Sequence, residues 1–260
     1  VDLVILDTPN GSSDNGYTNS PFYGCTSLKN IVLPERLTVI GRLAFGGLVS
    51  GRYGEKYIPP FESISLPSTL KEIHEMAFLN ARNLKTVTFA SGTTLSDACD
   101  GKAFAIGKQA FYYFTSLTEI ALPTSSEATY SIGDTAFAYT GLKEISIPKA
   151  VGWLGSGVFN RSSDLAKVVF EAGANPKCGT SLFAYTAVSG VSLPEGVEAI
   201  SDYMFQGCVN LTSVTVPASV KSIGISAFES CQALAKVTFA TYEKDGKSYS
   251  NLISIDNYAF

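Results

Sequence analysis

The sequence is poor in the residues that carry most enzymatic and metal chemistry. Its 260 residues include a single His, His74, and a single Trp, and only 16% are charged. One imidazole cannot form a histidine cluster, and no Ser-His-Asp or Cys-His pattern is evident, so we expect no metal, no cofactor and no catalysis. No apolar run approaches the ~18 residues of a membrane-spanning helix. The net charge of −4 does not favour a nucleic-acid partner.

Cysteines are few and odd in number. With five of them at least one thiol is unpaired, and the count does not suggest a disulfide framework. Cys25, Cys208 and Cys231 each lie three residues after a recurring Phe, and we predict that they are structural thiols in the core. A disulfide between Cys208 and Cys231 is conceivable but not expected. Cys99 and Cys178 lie in segments that do not match the repeat described below, too far apart for the ~7 Å limit of a bridge, so we expect both to be free.

What the sequence does contain is an internal repeat. A small residue followed by Phe recurs at Ala44-Phe45, Ala77-Phe78, Ala110-Phe111, Ala136-Phe137, Ala227-Phe228 and Ala259-Phe260, and looser copies end at Phe22, Phe159, Phe183 and Phe205. We call these the motif phenylalanines. Most are followed by a pattern L-x-x-[I/V]-x-[L/F/V], whose central positions are Ile31, Ile64, Val87, Ile120, Ile145, Val168, Val191, Val214 and Val237. The steps between them are 33, 23, 33, 25 and then four of 23, so the basic unit is 23 residues.

Each unit has a consistent physical interpretation. Alternation of apolar and small polar residues around the central position predicts a half-buried strand. Pro often follows and ends the strand, because it has no N–H to donate. A second apolar pair comes next, at Leu37/Ile40, Leu70/Ile73, Val151/Leu154, Val197/Ile200 and Val220/Ile223. Gly often follows that pair, which suits a turn.

One such unit cannot bury its own apolar face, so stacked units must share a core. The sequence therefore predicts a solenoid with mainly parallel strands, short turns or 3₁₀ segments and little helix. Val1, Val4 and Leu6 fit the strand pattern and predict a leading strand. We assign residues 1–21 to that strand and a polar loop, and residues 22–260 to one continuous array. The motif at Phe260 breaks off within a unit, so we expect both ends to be cut.

These residues resemble the leucine-rich repeat, and more narrowly its BspA-like class. Residues 211–231 follow the class pattern, with Leu211, Val214, Val216-Pro217, Val220, Ile223-Gly224, Ala227-Phe228 and Cys231. The resemblance covers the whole chain, although the Asn that usually follows the strand in common leucine-rich repeats is missing. It implies a right-handed solenoid on the surface of a host-associated bacterium. It also implies adhesion to a protein or glycan of a host or neighbouring cell, without catalysis.

Two functions stay open at this point. The first is a non-enzymatic, secreted or cell-surface interaction module that acts as a monomer without membrane insertion. The alternative is a structural spacer that holds another domain of a larger secreted protein away from the cell.

Three stretches break the rhythm of the repeat, at residues 46–60, 90–102 and 240–251. The last two contain Asp100-Gly101 and Asp245-Gly246, and Asp-Gly between strand-like arms favours a two-residue hairpin. Such hairpins either only lengthen a coil or contact a ligand. Asp97 and Asp100 lack the ligand spacing of a calcium loop, so we interpret their segment as a solvated loop.

Candidate partner-binding residues come from the positions two residues after the motif phenylalanines. In four consecutive units these are Tyr113, Tyr139, Arg161 and Tyr185, which we call the aromatic ridge. Stacked at one strand spacing, they either cover a coil edge or contact a partner. In the usual leucine-rich repeat geometry the strand residues between the buried ones form the concave face. Here we expect that face to be flat and weakly charged, without Tyr, Trp or Arg anchors.

Overall fold

Short strands along this chain pair with strands about one repeat away rather than with their sequence neighbours. A computed structural model describes residues 3–5, 22, 27–28, 31–46, 61–97, 104–124 and 129–260. Its strands are β1 Leu3–Ile5, β2 Leu37–Ile40, β3 Ser63–Leu66, β4 Glu72–Ile73, β5 Thr86–Phe89, β6 Tyr130–Ile132, β7 Glu144–Ile147, β8 Val151–Leu154, β9 Lys167–Phe170, β10 Lys177–Cys178, β11 Gly190–Ser192, β12 Ala199–Ile200, β13 Ser213–Val216, β14 Ser222–Ile223, β15 Lys236–Phe239, β16 Tyr242–Lys244, β17 Lys247–Tyr249 and β18 Ser254–Ile255. No helix occurs in these described residues, and the parallel β-solenoid predicted from the repeat is confirmed.

The first wall of the solenoid consists of the strands around the central Ile and Val positions. It has three parallel pieces, β3-β5, β7-β9 and β11-β13-β15. Partners are one repeat apart, as in Ile145↔Val168. The alternating burial of Ser63–Leu66 shows the physical cause, since Ile64 and Leu66 point into the core while both serines face outward.

The second wall contains the second apolar pair of each unit. Strands β2 and β4 pair in parallel, and the bridge residue Ile106 continues this ladder from Ile73 to Ile132 in β6. Strands β6, β8 and β10 follow, and β12, β14 and β18 form a separate piece. Every predicted second pair is buried, so each of these five coils contributes two aliphatic side chains from this wall to the core.

The third wall is formed by turns that carry the motif phenylalanines. Eight of these residues, from Phe45 to Phe228, donate their N–H to the carbonyl of the residue before the next motif phenylalanine, at 2.7–3.1 Å. All ten rings, from Phe22 to Phe260, stack on their neighbours with centroids 4.9–5.8 Å apart and interplanar angles of 3–19°. This column runs along the described array and joins successive coils through both backbone and side chain.

The turns between walls have clear physical causes. Pro ends a first-wall strand, and its carbonyl accepts the N–H of the residue three positions on, as in Leu70 N–H to Pro67 at 3.1 Å. Gly at the end of a second-wall strand is required by close packing rather than by turn conformation. A Cβ at Gly155 would lie 2.6 Å from the backbone nitrogen of Asp134 on the preceding coil.

Three details differ from the sequence prediction. Strand β1 pairs with β2 through Ile5↔Ile40, so the leading strand belongs to the second wall and not to the first-wall pattern of Val1, Val4 and Leu6. The described residues 31–34 and 117–122 form no strand, although Ile31 and Ile120 carry the central-position pattern. Cys178 lies within the array after all, because β10 pairs with β8 and Cys178 stands opposite Leu154.

The predicted hairpin at Asp245-Gly246 is confirmed. Strands β16 and β17 pair antiparallel, with Tyr242 opposite Tyr249. The other insertions lie largely outside the described residues, including residues 47–60 and the Asp100-Gly101 pair.

Candidate functional site

The third wall carries the aromatic ridge on its outer surface. The rings of Tyr113 and Tyr139 stack at 4.9 Å, and the guanidinium carbon of Arg161 lies 4.5 Å from the ring centroid of Tyr185. A backbone bond from Tyr139 N–H to the Asn160 carbonyl joins the two pairs, and Arg161 N–H donates to the Ala184 carbonyl within the second pair of coils. The structure therefore brings the four predicted residues together as two contacting pairs on consecutive coils.

The ridge backbone is left-handed. Tyr113, Tyr139, Arg161 and Tyr185 have φ between 57° and 59°. This region is disfavoured for residues other than Gly, Asn and Asp and costs on the order of 1–3 kcal/mol for each bulky residue. Two adjoining coils use cheaper residues at the same position, Asn80 and Gly207. The turn itself therefore does not require tyrosine or arginine there.

The ridge side chains are partly covered and partly open. Tyr113 is 36% exposed and Tyr185 is 40% exposed. The ring of Tyr185 lies over Gly207, where an added Cβ would approach its Cδ1 to 2.5 Å. Part of each of these two side chains is therefore covered, as the Tyr185 ring is by Gly207, while the rest is exposed. The ridge side chains can therefore cover a coil edge and also contact a partner.

Sequence reasoning missed two members of this cluster. The guanidinium carbon of Arg82 lies 5.4 Å from the Tyr113 ring centroid. Tyr112 contacts both Tyr113 and Tyr139, at 5.5 and 5.4 Å between ring centroids. Burial, followed by the nearby Tyr139 and Tyr113, raises the pKa of Tyr112 above its ordinary value. The adjacent tyrosines Tyr112 and Tyr113 were the available sequence signal for Tyr112.

The first wall is not uniformly flat, contrary to expectation. A groove of about 430 Å³ opens over Ile120, between β5 and β7. Its lining residues are Thr86, Val87, Thr88, Glu119, Ile120, Ala121, Glu144, Ile145, Ser146, Lys167 and Val169. Lys167 forms an ion pair with Glu144 at 3.1 Å, whereas no cation among the described residues lies within 4 Å of Glu119.

The groove coincides with a break in the strand ladder. Residues 119–122 form no strand, although Lys143 N–H still donates to the Thr118 carbonyl at 3.2 Å. The repeats on either side have the irregular lengths of 33 and 25 residues, although the Lys143–Thr118 bond is equivalent to the Ala166–Lys143 bond between regular coils. Those two irregular steps were the sequence signal for the groove.

The thiols have structural positions. Cys208 is fully buried, Cys231 is half-buried, and both are free, as is Cys178. Burial raises the pKa of Cys178 to about 12, and burial with a smaller contribution from Cys208 raises that of Cys231 to about 12. Thiols of this kind are poor nucleophiles and poor metal ligands at neutral pH. Cys25 and Cys99 lie outside the described residues.

The remaining chemical candidates have local partners. His74 Nε2 lies 3.1 Å from Glu72 Oε2. The Asp97 carboxylate accepts bonds from the N–H groups of Ala105 and Ser131 and from the Ser131 hydroxyl, so it connects coils. In the described part of the chain no three His, Cys, Asp or Glu side chains group closely enough to hold a metal ion. That same part has no helix with the length and apolar character needed to cross a membrane.

A comparison with known protein families finds a matching family model. The sequence model of the BspA type leucine rich repeat region matches in six copies, over residues 13–52, 56–104, 98–208 and 176–260. No curated protein matches the chain.

Solved structures with the same kind of fold come from several bacteria. A leucine rich repeat protein of T. pallidum is 23% identical over 75% of this chain and 72% of its own, with a TM-score of 0.46. A leucine rich cell surface protein of Faecalibacterium prausnitzii is 21% identical over 85% of this chain and 76% of its own, with a TM-score of 0.43. A leucine-rich repeat protein of Eubacterium ventriosum is 22% identical over 88% of this chain and 63% of its own, with a TM-score of 0.49.

Proposed function

Because the chain belongs to the BspA-type leucine-rich repeat family, we propose that it is a non-enzymatic protein-binding module. We extend the proposal to a secreted or cell-surface protein that adheres to proteins or glycans of a host or neighbouring cell. Family membership supports this location and this role. The interaction needs no cofactor, because shape and side-chain contact along a rigid ladder supply the affinity.

The aromatic ridge is the observation that carries the proposal. Tyr and Arg are the residues most enriched at interface hot spots. Here they occupy a left-handed position that Asn80 and Gly207 fill at lower backbone cost, so their presence favours a role beyond the turn. Their backbone is fixed by the third-wall hydrogen bonds, so little conformational entropy is lost on binding.

A binding assay tests the proposal. Purified protein is applied to immobilised matrix proteins and glycans at physiological salt, and the strongest ligand is then tested with Tyr139→Asn/Tyr185→Asn. Asn suits the left-handed backbone, so the double variant keeps its fold while its affinity falls about tenfold or more.

Tyr203→Asn is the matched control, because Tyr203 is also exposed and left-handed but lies outside the ridge. Equal loss in both variants, or unchanged affinity in the double variant with intact melting, contradicts a binding role of the ridge.

The second candidate function is a rigid spacer within a larger protein. The continuous column of ten stacked phenylalanine rings favours it, because such a column resists bending between coils. Absence of any saturable binding across the panel would favour the spacer over the adhesin.

A further inference from the structure

The hairpin of β16 and β17 projects from the array without contributing to its core. Residues 241–250 are all exposed, and they stand where other units have the Pro turn after a first-wall strand. Pro has no N–H, so it cannot donate the hydrogen bond that a continuing strand needs. Ala240 stands at the Pro position here. Ordering ten residues costs conformational entropy, and this insertion offsets none of that cost by apolar burial in the core.

The base of the hairpin is firmly attached. Ala240 N–H donates to the Val216 carbonyl at 2.9 Å, and Ile253 N–H donates to that of Lys221 at 2.7 Å. Between them, the Asn251 amide donates to the Ala218 carbonyl at 2.9 Å. These hydrogen bonds therefore hold the hairpin in a fixed position relative to the array.

The hairpin presents one face with two aromatic and two cationic side chains. Tyr242 lies opposite Tyr249 with rings 5.9 Å apart, and Lys244 lies opposite Lys247. Since side chains alternate along a strand, both pairs project from the same face. Glu243 and Ser248 project from the other face and hydrogen-bond to each other.

The two lysines have an electrostatically unfavourable arrangement. Like charges directly opposite on two strands destabilise the pair. No carboxylate in the described part of the chain lies within 4 Å of either ammonium group, whereas Lys85, Lys167 and Lys221 each pair with a glutamate. The whole chain has a net charge of −4, so this cationic pair is opposite in sign to the net charge of the chain. An anionic ligand would relieve the repulsion.

The backbone of the hairpin indicates which chemical class of anionic ligand it can bind. Among the described residues β16 and β17 pair only with each other, so the hairpin has outer edges with unpaired N–H and C=O groups. An extended polypeptide can satisfy such an edge, but a polysaccharide cannot reproduce its hydrogen-bond spacing. We propose that the hairpin binds an extended acidic segment of a partner protein, which adds as a third strand and places its carboxylates on Lys244 and Lys247. This surface is distinct from the aromatic ridge and goes beyond the function proposed above.

The test uses a fluorescein-labelled, end-capped peptide of alternating Glu and Val with the whole chain, followed by fluorescence anisotropy. We expect saturable binding at ~50 mM salt that weakens strongly at ~0.5 M. Lys247→Glu places an opposite charge across from Lys244, so it should keep or raise the melting temperature while reducing affinity about tenfold or more. A purely structural role of these lysines predicts no change in affinity.

Two further comparisons make the result decisive. The double variant Lys149→Glu/Lys177→Glu changes two exposed lysines elsewhere and should bind like the wild type if the effect is local. A peptide N-methylated at alternate residues keeps its carboxylates but cannot pair with an edge, and it should bind at least about tenfold more weakly.

Equal binding of the methylated peptide overturns strand addition, and preference for heparin over the peptide overturns the polypeptide class. Unchanged affinity in Lys247→Glu, or no binding by the wild type, overturns the proposal itself. The Tyr139→Asn/Tyr185→Asn protein should bind the peptide normally, which separates this proposal from the ridge.

Discussion

The thiol of Cys208 donates a hydrogen bond to the carbonyl of Phe183 on the preceding coil, with a sulfur–oxygen distance of 3.1 Å. Cys231 makes the same bond to Phe205 at 3.1 Å, and Ser162 makes it to Phe137 at 2.9 Å. Thr140 and Thr186 occupy the same position and donate to the carbonyl of the motif phenylalanine of their own coil. The third position after the motif phenylalanine thus holds a small hydrogen-bond donor in these five coils, whereas the apolar Ala81 and Phe114 occupy it in two others.

Substitution of Cys208 tests this requirement. Cys208→Ser keeps the donor, as Ser162 does naturally, and should change the free energy of unfolding by less than ~1 kcal/mol. Cys208→Ala removes one of the two side-chain donors to the Phe183 carbonyl, the other being Thr186, and opens a small void, so it should cost ~1–3 kcal/mol. Urea denaturation measures both values. Equal destabilisation by Ser and Ala would show that size, not hydrogen bonding, sets the preference.

Truncation of the phenylalanine column should be strongly destabilising. Phe137 is fully buried and stacks on Phe111 and Phe159, at 4.9 and 5.8 Å between centroids. Phe137→Ala should lower the free energy of unfolding by ~3–5 kcal/mol through lost burial and a cavity. Phe239 is about two-fifths exposed, so Phe239→Ala is the matched control and should cost ~1 kcal/mol or less. Similar losses in thermal denaturation would contradict a continuous core along the column.

Two glycines should respond oppositely to alanine. A Cβ at Gly155 would lie 2.6 Å from the backbone of the preceding coil, so Gly155→Ala must push two coils apart and should cost several kcal/mol, on the order of 2–4. At Gly190 nothing lies within 4 Å, and Gly190→Ala should be neutral or stabilise by ~0.4–1 kcal/mol through a less flexible unfolded chain. Differential scanning calorimetry of both variants checks the sign of each effect.

Alkaline pH should destabilise the fold. Burial raises the pKa of Cys178 and Cys231 to about 12, and burial with the charge of Glu171 raises that of Tyr130. Because the unfolded chain releases these protons first, their contribution is present below pH ~9 and falls as pH rises toward ~12, by up to ~1.4 kcal/mol per group and pH unit.

Urea midpoints measured from pH 8 to about pH 11 should therefore decrease, and Cys178→Val should flatten the decrease. Val fills the site without a titrating group, so its baseline stability at pH 8 serves as the control. An identical pH slope in the variant would assign the alkaline loss to other groups.

Local sequence patterns were sufficient to predict the features that depend on the residues of a single coil or turn. The motif phenylalanines, the second apolar pairs and the Asp245-Gly246 turn were all predicted correctly. Both turn residues have positive φ, 52° and 69°, which Asp-Gly accepts readily and which matches the twist of a hairpin. In each case the residue type itself excludes most alternative conformations.

Sequence patterns gave wrong predictions where the structure of a segment depends on contacts with a neighbouring coil. Ile120 has the residues of a strand, but residues 119–122 form no strand beside β5 and β7. Cys178 did not look like a repeat position, yet its backbone pairing with β8 places it in line with Leu154. Gly155 was interpreted as a turn residue, although it is needed because Asp134 approaches it from another coil.

By itself, then, the sequence determined the repeat, the inward and outward faces of each coil and the protruding hairpin, because periodicity and turn chemistry are local. Only the tertiary structure decided where the first-wall ladder breaks into a groove. It also decided which ridge side chains contact each other. Those relationships arise from contacts between coils about 23 residues apart, and no single unit contains them in its own residues.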